Sequence, residues 1–185
     1  DARWSPHEAA AFYGVEGWGQ GYFSVSDDGH VLAHPTREPH RRIDLYRVVQ
    51  ELAERGLETP LLIRFADASA RRVADLHEAF SHAIDEMAYP EAYRCVYPIK
   101  TNQQRHVVDE FHEAGRAFGF GLECGSKPEL LAVLGMVDDN HTPIVCNGFK
   151  DRDYAEAIVL SAAMGRDIHP VIEQAGELDL LLDAA

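Results

Sequence analysis

The chain is 185 residues long, with 46% hydrophobic residues, 26% charged residues and a formal net charge of -14. This is the balance of a folded globular chain rather than a disordered one, and such acidity excludes a general nucleic-acid backbone binder, which needs clustered Lys and Arg. No apolar run reaches the roughly 18 to 20 residues of a membrane-spanning helix, and the first thirty residues lack the basic start and apolar core of a secretory signal.

Residues 1–60 differ in character from the rest. The glycines of Gly14-Val15-Glu16-Gly17-Trp18-Gly19-Gln20-Gly21 do not form a dinucleotide loop, because that motif needs a strand before it and a helix after it. Instead Tyr22 to Ser26 alternates like a strand, Asp27-Asp28-Gly29 reads as a turn and His30 to Ala33 as the returning strand. Ile43, Tyr46, Val49, Leu52 and Ala53 then recur at helical spacing, and Gly56 ends that helix. Pro60 to Phe65 predicts a buried strand, and Ala66 to Ser69 turns it into a long helix with the apolar stripe Val73, Leu76, Phe80, Ile84 and Met87.

After Pro90 the pattern becomes regular. Strands are predicted over Cys95–Ile99, Phe120–Leu122, Pro143–Cys146 and Ile168–Ile172, each followed by a helix-patterned segment. Ser126 is placed to cap the second of these helices, with Pro128 in its first turn. The polar residues at the strand ends are Lys100, Glu123, Asn147 and Glu173, at intervals of 23, 24 and 26 residues. A strand, a loop and a helix occupy about that length of chain, and buried strands alternating with helices predict a parallel α/β sheet. A closed barrel needs eight such units and four are present, so the choice is between an open sheet and the first half of a longer barrel protein. The second is expected, because half a barrel leaves two strand edges unpaired.

The carboxyl ends of parallel strands are where such folds build their sites. Lys100 stands at one of these ends, either as an ordinary surface lysine or as an amine that forms an imine with a carbonyl cofactor. Glu123 and Asn147 end the next two strands and would share its rim. Cys95, Cys124 and Cys146 lie in or beside predicted strands, as free thiols of a reducing cytoplasm would, and Cys124 reads as packing. The ten histidines show no metal-ligand spacing, so no metal ligands are predicted. His77 and His112 read as polar-face residues of helices.

Several blocks together are specific. Gly17-Trp18-Gly19 with Tyr22-Phe23, Pro60 to Phe65, Val96-Tyr97-Pro98-Ile99-Lys100-Thr101-Asn102-Gln103, and Phe120 through Leu131 occur in this order. Cys146-Asn147-Gly148-Phe149-Lys150-Asp151 and Val171 to Leu180 follow. In these blocks the chain resembles the biosynthetic arginine decarboxylases, departing from their usual pattern at Thr101 and Cys124. The resemblance implies the alanine racemase-like fold, a (β/α)₈ barrel with a β-domain. Residues 61–185 would form the first part of the pyridoxal-phosphate-binding barrel, and residues 1–60 a segment associating with a C-terminal β-domain. It implies decarboxylation of L-arginine to agmatine with pyridoxal phosphate, in polyamine and spermidine biosynthesis, by a cytoplasmic homo-oligomer, and a Mg2+ ion. Lys100 would be the Schiff-base lysine, partly desolvated on the barrel rim, with Glu123 and Asn147 in the cofactor pocket. The same blocks in part fit ornithine or diaminopimelate decarboxylases, or a non-catalytic relative that binds a protein. The phosphate cradle and the partner of the pyridine nitrogen would come from later strands, so the 185 residues alone are expected to be inactive.

Overall fold

The computed structural model describes residues 4–185, which divide into two compact units, the first ending at Arg71 and the second running from Arg72 to Ala185. In the first unit, helix α1 (Pro6–Phe12) begins with a capping box in which the Ser5 N–H donates to Glu8 Oε2 at 2.8 Å and the Glu8 N–H donates to Ser5 Oγ at 3.2 Å. Gly14, in the left-handed conformation, admits the short helix α2 (Val15–Gly19). The glycine-rich stretch therefore contains a helical turn, which its glycines had masked. Strands β1 (Phe23–Val25) and β2 (Val31–Ala33) then pair antiparallel, with Phe23 opposite Ala33, as the expected hairpin.

A third strand, β3 (Ile43–Asp44), pairs with β2 and leads into α3 (Leu45–Glu54). Asp44 makes that junction compact. One oxygen accepts the Arg47 N–H at the start of α3, and the other lies 2.8 Å from His30 Nδ1 on the hairpin. The predicted strand over Pro60–Phe65 does not form. Residues 61–65 alternate between half-buried and exposed, Leu62 is 78% exposed, and no strand pairs with them among the described residues.

Helix α4 (Ala66–Met87) has the expected length, but its stripe is not a buried face. Val73 is buried, whereas Leu76, Phe80 and Met87 are exposed. Towards its carboxyl end it holds aromatic neighbours: Phe80 stacks on Tyr93 at 3.9 Å, and His77 stacks on Phe118 at 4.3 Å. His77 is thus a packing residue rather than a solvated one.

The second unit repeats one pattern four times. Strands β4 (Val96–Pro98), β5 (Gly121–Cys124), β6 (Ile144–Cys146) and β7 (Ile168–Pro170) alternate with helices α5 (Arg105–Arg116), α6 (Lys127–Met136), α7 (Arg152–Ala163) and α8 (Ala175–Ala184). The sheet is parallel, and each strand lies beside its predecessor in the order β4-β5-β6-β7. A barrel wall requires this sequential order, whereas a doubly wound sheet reverses at a switch point. The register sets Pro98 opposite Glu123 and Cys124 opposite Cys146. Apolar residues of the strands, led by Leu122 and Ile144, pack on Leu130 and Val133 of α6 and Tyr154 and Ile158 of α7.

Two strands stop earlier than predicted. β4 ends at Pro98 because Thr101 Oγ donates to the Pro98 carbonyl at 2.9 Å, folding Ile99–Thr101 into a 3-10 turn. β7 ends at Pro170, three residues before Glu173. Gly121 marks the tightest contact of the sheet, since a Cβ there would lie 1.9 Å from the Pro143 carbonyl oxygen. Gly121→Ala is therefore expected to destabilise the protein by roughly 2–3 kcal/mol through overpacking. Gly135→Ala, in α6 with nothing within 4 Å of its added carbon, should instead stabilise by about 0.5–1 kcal/mol. Urea unfolding of both variants checks the pair.

Candidate functional site

Lys100 lies in the turn that follows β4, on the carboxyl rim of the sheet. The turn is tied on all sides: Tyr97 OH donates to the Asn102 carbonyl at 3.3 Å, and Asn102 Oδ1 accepts the Gln104 N–H at 3.0 Å. Gln103 Nε2 donates to Glu129 Oε1 at 2.6 Å. The backbone is held while the lysine side chain is exposed.

The chain has three lysines, and the other two are committed. Lys127 Nζ lies 2.7 Å from Asp153 Oδ2, which raises its pKa. Lys150 Nζ is buried, 3.5 Å from Glu177 Oε2 and 2.7 Å from the Gly148 carbonyl. Among the described residues, no acceptor pairs with Lys100. An amine outside an ion pair is the one that can lose its proton and attack a carbonyl.

Beside that rim the structure brings two more of the sequence-predicted residues together. Glu123 is buried, at 4% exposure, and its Oε1 accepts from Asn147 Nδ2 at 2.9 Å. Oε2 has no donor among the described residues. A largely buried carboxylate with a spare oxygen can orient a polar ligand group by accepting a hydrogen bond from it. Glu173 takes a different role from these two. Its carboxylate Oε1 accepts the Gly148 N–H at 2.5 Å, fixing the loop after β6.

What holds the rim is a device at the third residue of successive helices. Glu129, at that position in α6, accepts the Gly125 N–H of its own loop at 2.6 Å as well as Gln103 of the preceding one. Glu177, at the same position in α8, accepts the Glu173 N–H at 2.9 Å and, from the preceding loop, the Lys150 N–H at 3.2 Å. Tyr154, third in α7, donates its hydroxyl to the Asn147 carbonyl at 3.3 Å. Where the loops cross, Gly148 has φ +79° and a Cβ there would lie 2.1 Å from the Gly125 carbonyl oxygen. Only glycine fits.

These interactions set the charges. The Glu173 and Lys150 N–H groups and the Lys150 ammonium hold the Glu177 carboxyl below the usual carboxylate range, against the opposing effect of burial. Cys124 and Cys146 lie with their sulfurs 3.6 Å apart on the helix side of the sheet, against Tyr154. The contact with Cys124 and burial together push the Cys146 thiol up, and burial pushes the Tyr154 phenol up. The same contact with Cys146 draws the Cys124 thiol down, and both cysteines are fully buried, as the packing role read for Cys124 expected.

Lys150, Glu177 and Tyr154 were not found from the sequence. The pairing of Lys150 with Glu177, 27 residues away, is set by the topology rather than by a local motif.

Comparison with known proteins gives a consistent result. The family described as pyridoxal-dependent decarboxylase, pyridoxal binding domain, matches residues 71–185. Biosynthetic arginine decarboxylases from Rhodopirellula baltica and Gloeobacter violaceus are 46% and 47% identical over 100% and 98% of this chain. The chain spans 28% of the length of each of these relatives. The crystal structure of the biosynthetic arginine decarboxylase from Campylobacter jejuni superposes with a TM-score of 0.84 and 32% identity, over 92% of this chain and 28% of that one.

The buried Lys150–Glu177 pair yields a test of the rim. Glu177→Gln is expected to lower the thermal midpoint at neutral pH, because it leaves the Lys150 ammonium buried without its counter-charge. The folded-state pKa of Glu177 is depressed, so its stabilisation is complete above the ordinary carboxylate range and is lost as pH falls through the depressed value. The gap between the wild type and Glu177→Gln should therefore close on acidification, which thermal melts across a pH series measure.

Proposed function

The chain belongs to the pyridoxal-dependent decarboxylases, matching their pyridoxal-binding domain, and from that membership we propose that it serves the decarboxylation of L-arginine to agmatine. It does so as part of a protein of its relatives' length, in polyamine biosynthesis. The observation that carries the reading is the free amine of Lys100 on a rim where the other two lysines are neutralised by carboxylates. In this reading residues 61–185 are the first part of the barrel, and residues 1–60 associate with a C-terminal β-domain.

The residues fit pyridoxal phosphate on two counts. Lys100 Nζ is unpaired and sits on a turn whose backbone is fixed, and Glu123 offers a buried carboxylate with one oxygen already oriented by Asn147. When bound, the cofactor supplies an electron sink for the negative charge left on carbon as CO2 departs. Lys100 would hold it through Nζ and, once freed, would be placed to return a proton to the carbon that lost CO2. Glu123 and Asn147, joined to each other, would orient polar groups of the bound cofactor.

The described residues do not assemble an all-oxygen ligand cluster for the Mg2+ ion that the resemblance implies. Among the described residues, the one cluster of three metal-ligating side chains close enough to share an ion includes an imidazole, and magnesium takes oxygen ligands in a near-octahedral shell. No step of the reaction is routed through it. None of the described helices is long and apolar enough to cross a membrane. The free thiols suit the reducing cytoplasm in which we place the protein, as a homo-oligomer, dimer or tetramer.

Two measurements test this. In a full-length protein carrying this sequence, borohydride reduction with pyridoxal phosphate followed by peptide mapping should leave the pyridoxyl group on Lys100. Lys100→Ala should lose both the label and agmatine formation. A label on Lys127 or Lys150, or activity that survives the substitution, contradicts the assignment. The 185-residue chain by itself should release no agmatine above its own Lys100→Ala variant.

A further inference from the structure

At the opposite edge of the sheet from Lys100, helix α5 ends and the connection from α6 enters β6. There His112 is 5% exposed, and neither ring nitrogen has a hydrogen-bond partner. A neutral imidazole carries one donor and one acceptor, and leaving both unmet in the interior is costly. The sequence placed His112 on a polar helix face, and the structure contradicts that. One of its ring nitrogens and one carboxylate oxygen each from Asp138 and Asp139 all lie within 4.8 Å of one another.

We propose that His112, Asp138 and Asp139 form a binding site for a first-row divalent metal ion of the zinc type, joining α5 to the α6–β6 connection. One imidazole and two carboxylates suit such an ion, whereas magnesium and calcium take oxygen ligands alone. The orphaned ring of His112 supplies the nitrogen. Asp139 is already oriented: its Oδ1 accepts the His141 and Thr142 N–H groups, both at 2.7 Å, and its Oδ2 accepts the Thr142 hydroxyl at 2.9 Å. Such outer contacts hold a carboxylate in place for a metal. Asp138 is exposed and free to turn towards the ion.

The cation now nearest the two carboxylates is the Arg116 guanidinium, 3.8 Å from Asp138 and 3.9 Å from Asp139. Its shorter contact is to Glu113, at 3.3 Å. Arg116 therefore competes with the metal for the same negative charge, and it keeps a partner when it withdraws. The site lies away from the cofactor rim, so its role is to tie the sheet's amino-terminal edge rather than to take part in decarboxylation.

Calorimetric titration of the protein with zinc chloride tests the proposal, with magnesium chloride in parallel. Saturable one-to-one zinc binding is expected. Asp138→Asn, a change at an exposed side chain, should weaken it about tenfold or more, and Arg116→Met should tighten it by removing the competing cation. Magnesium should not compete. The proposal is overturned by no saturable zinc binding, by Asp138→Asn binding zinc as tightly as the wild type, or by Arg116→Met binding it no more tightly. Circular dichroism of both variants shows that they remain folded.

Discussion

The carboxyl rim depends on one constraint: the third side chain of each of three successive helices reaches back across a strand end into the loop before it. Glu129, Tyr154 and Glu177 do this in α6, α7 and α8, satisfying backbone groups that the strand ends and helix starts leave open. Helices α6 and α8 are thereby each fixed to two loops at once. The loops between strand and helix, usually the mobile part of a parallel α/β fold, become a connected band. Gly148 allows the band to close, since a side chain at position 148 would meet the backbone at 125.

That band has an electrostatic consequence. Glu177, accepting backbone N–H groups, is held below the usual carboxylate range, and the buried Lys150 balances it. Lys127 is spent on Asp153 at the surface. The chemistry of the rim is thus left to Lys100, whose turn is held by Tyr97, Thr101, Asn102 and Gln103 without any contact to the amine itself. Structural and reactive lysines are separated by what each one touches.

Much of this was legible in the residues. The intervals between Lys100, Glu123, Asn147 and Glu173 carried the parallel order, because a strand, a loop and a helix of ordinary length fill each interval. The capping of α6 by Ser126 followed from local chemistry. What failed were inferences that needed a neighbour. Residues 61–65 have the composition of a strand, yet a strand forms only where another offers its edge. The stripe on α4 has helical period, yet period alone cannot say what covers a face. His112 looked solvated, and its burial beside Asp138 and Asp139, before β6, is a tertiary fact. Glu177 and Lys150 are far apart in sequence, and only the sequential strand order brings them together.

The central claim is that the fold leaves one lysine free and fixes the other two. Brief acetylation with limiting acetic anhydride, read at each lysine by peptide mass spectrometry, measures this directly. The account predicts that Lys100 is modified first, Lys127 more slowly and Lys150 only on unfolding. Acetylation of Lys150 at a rate equal to that of Lys100 in the folded protein would contradict it.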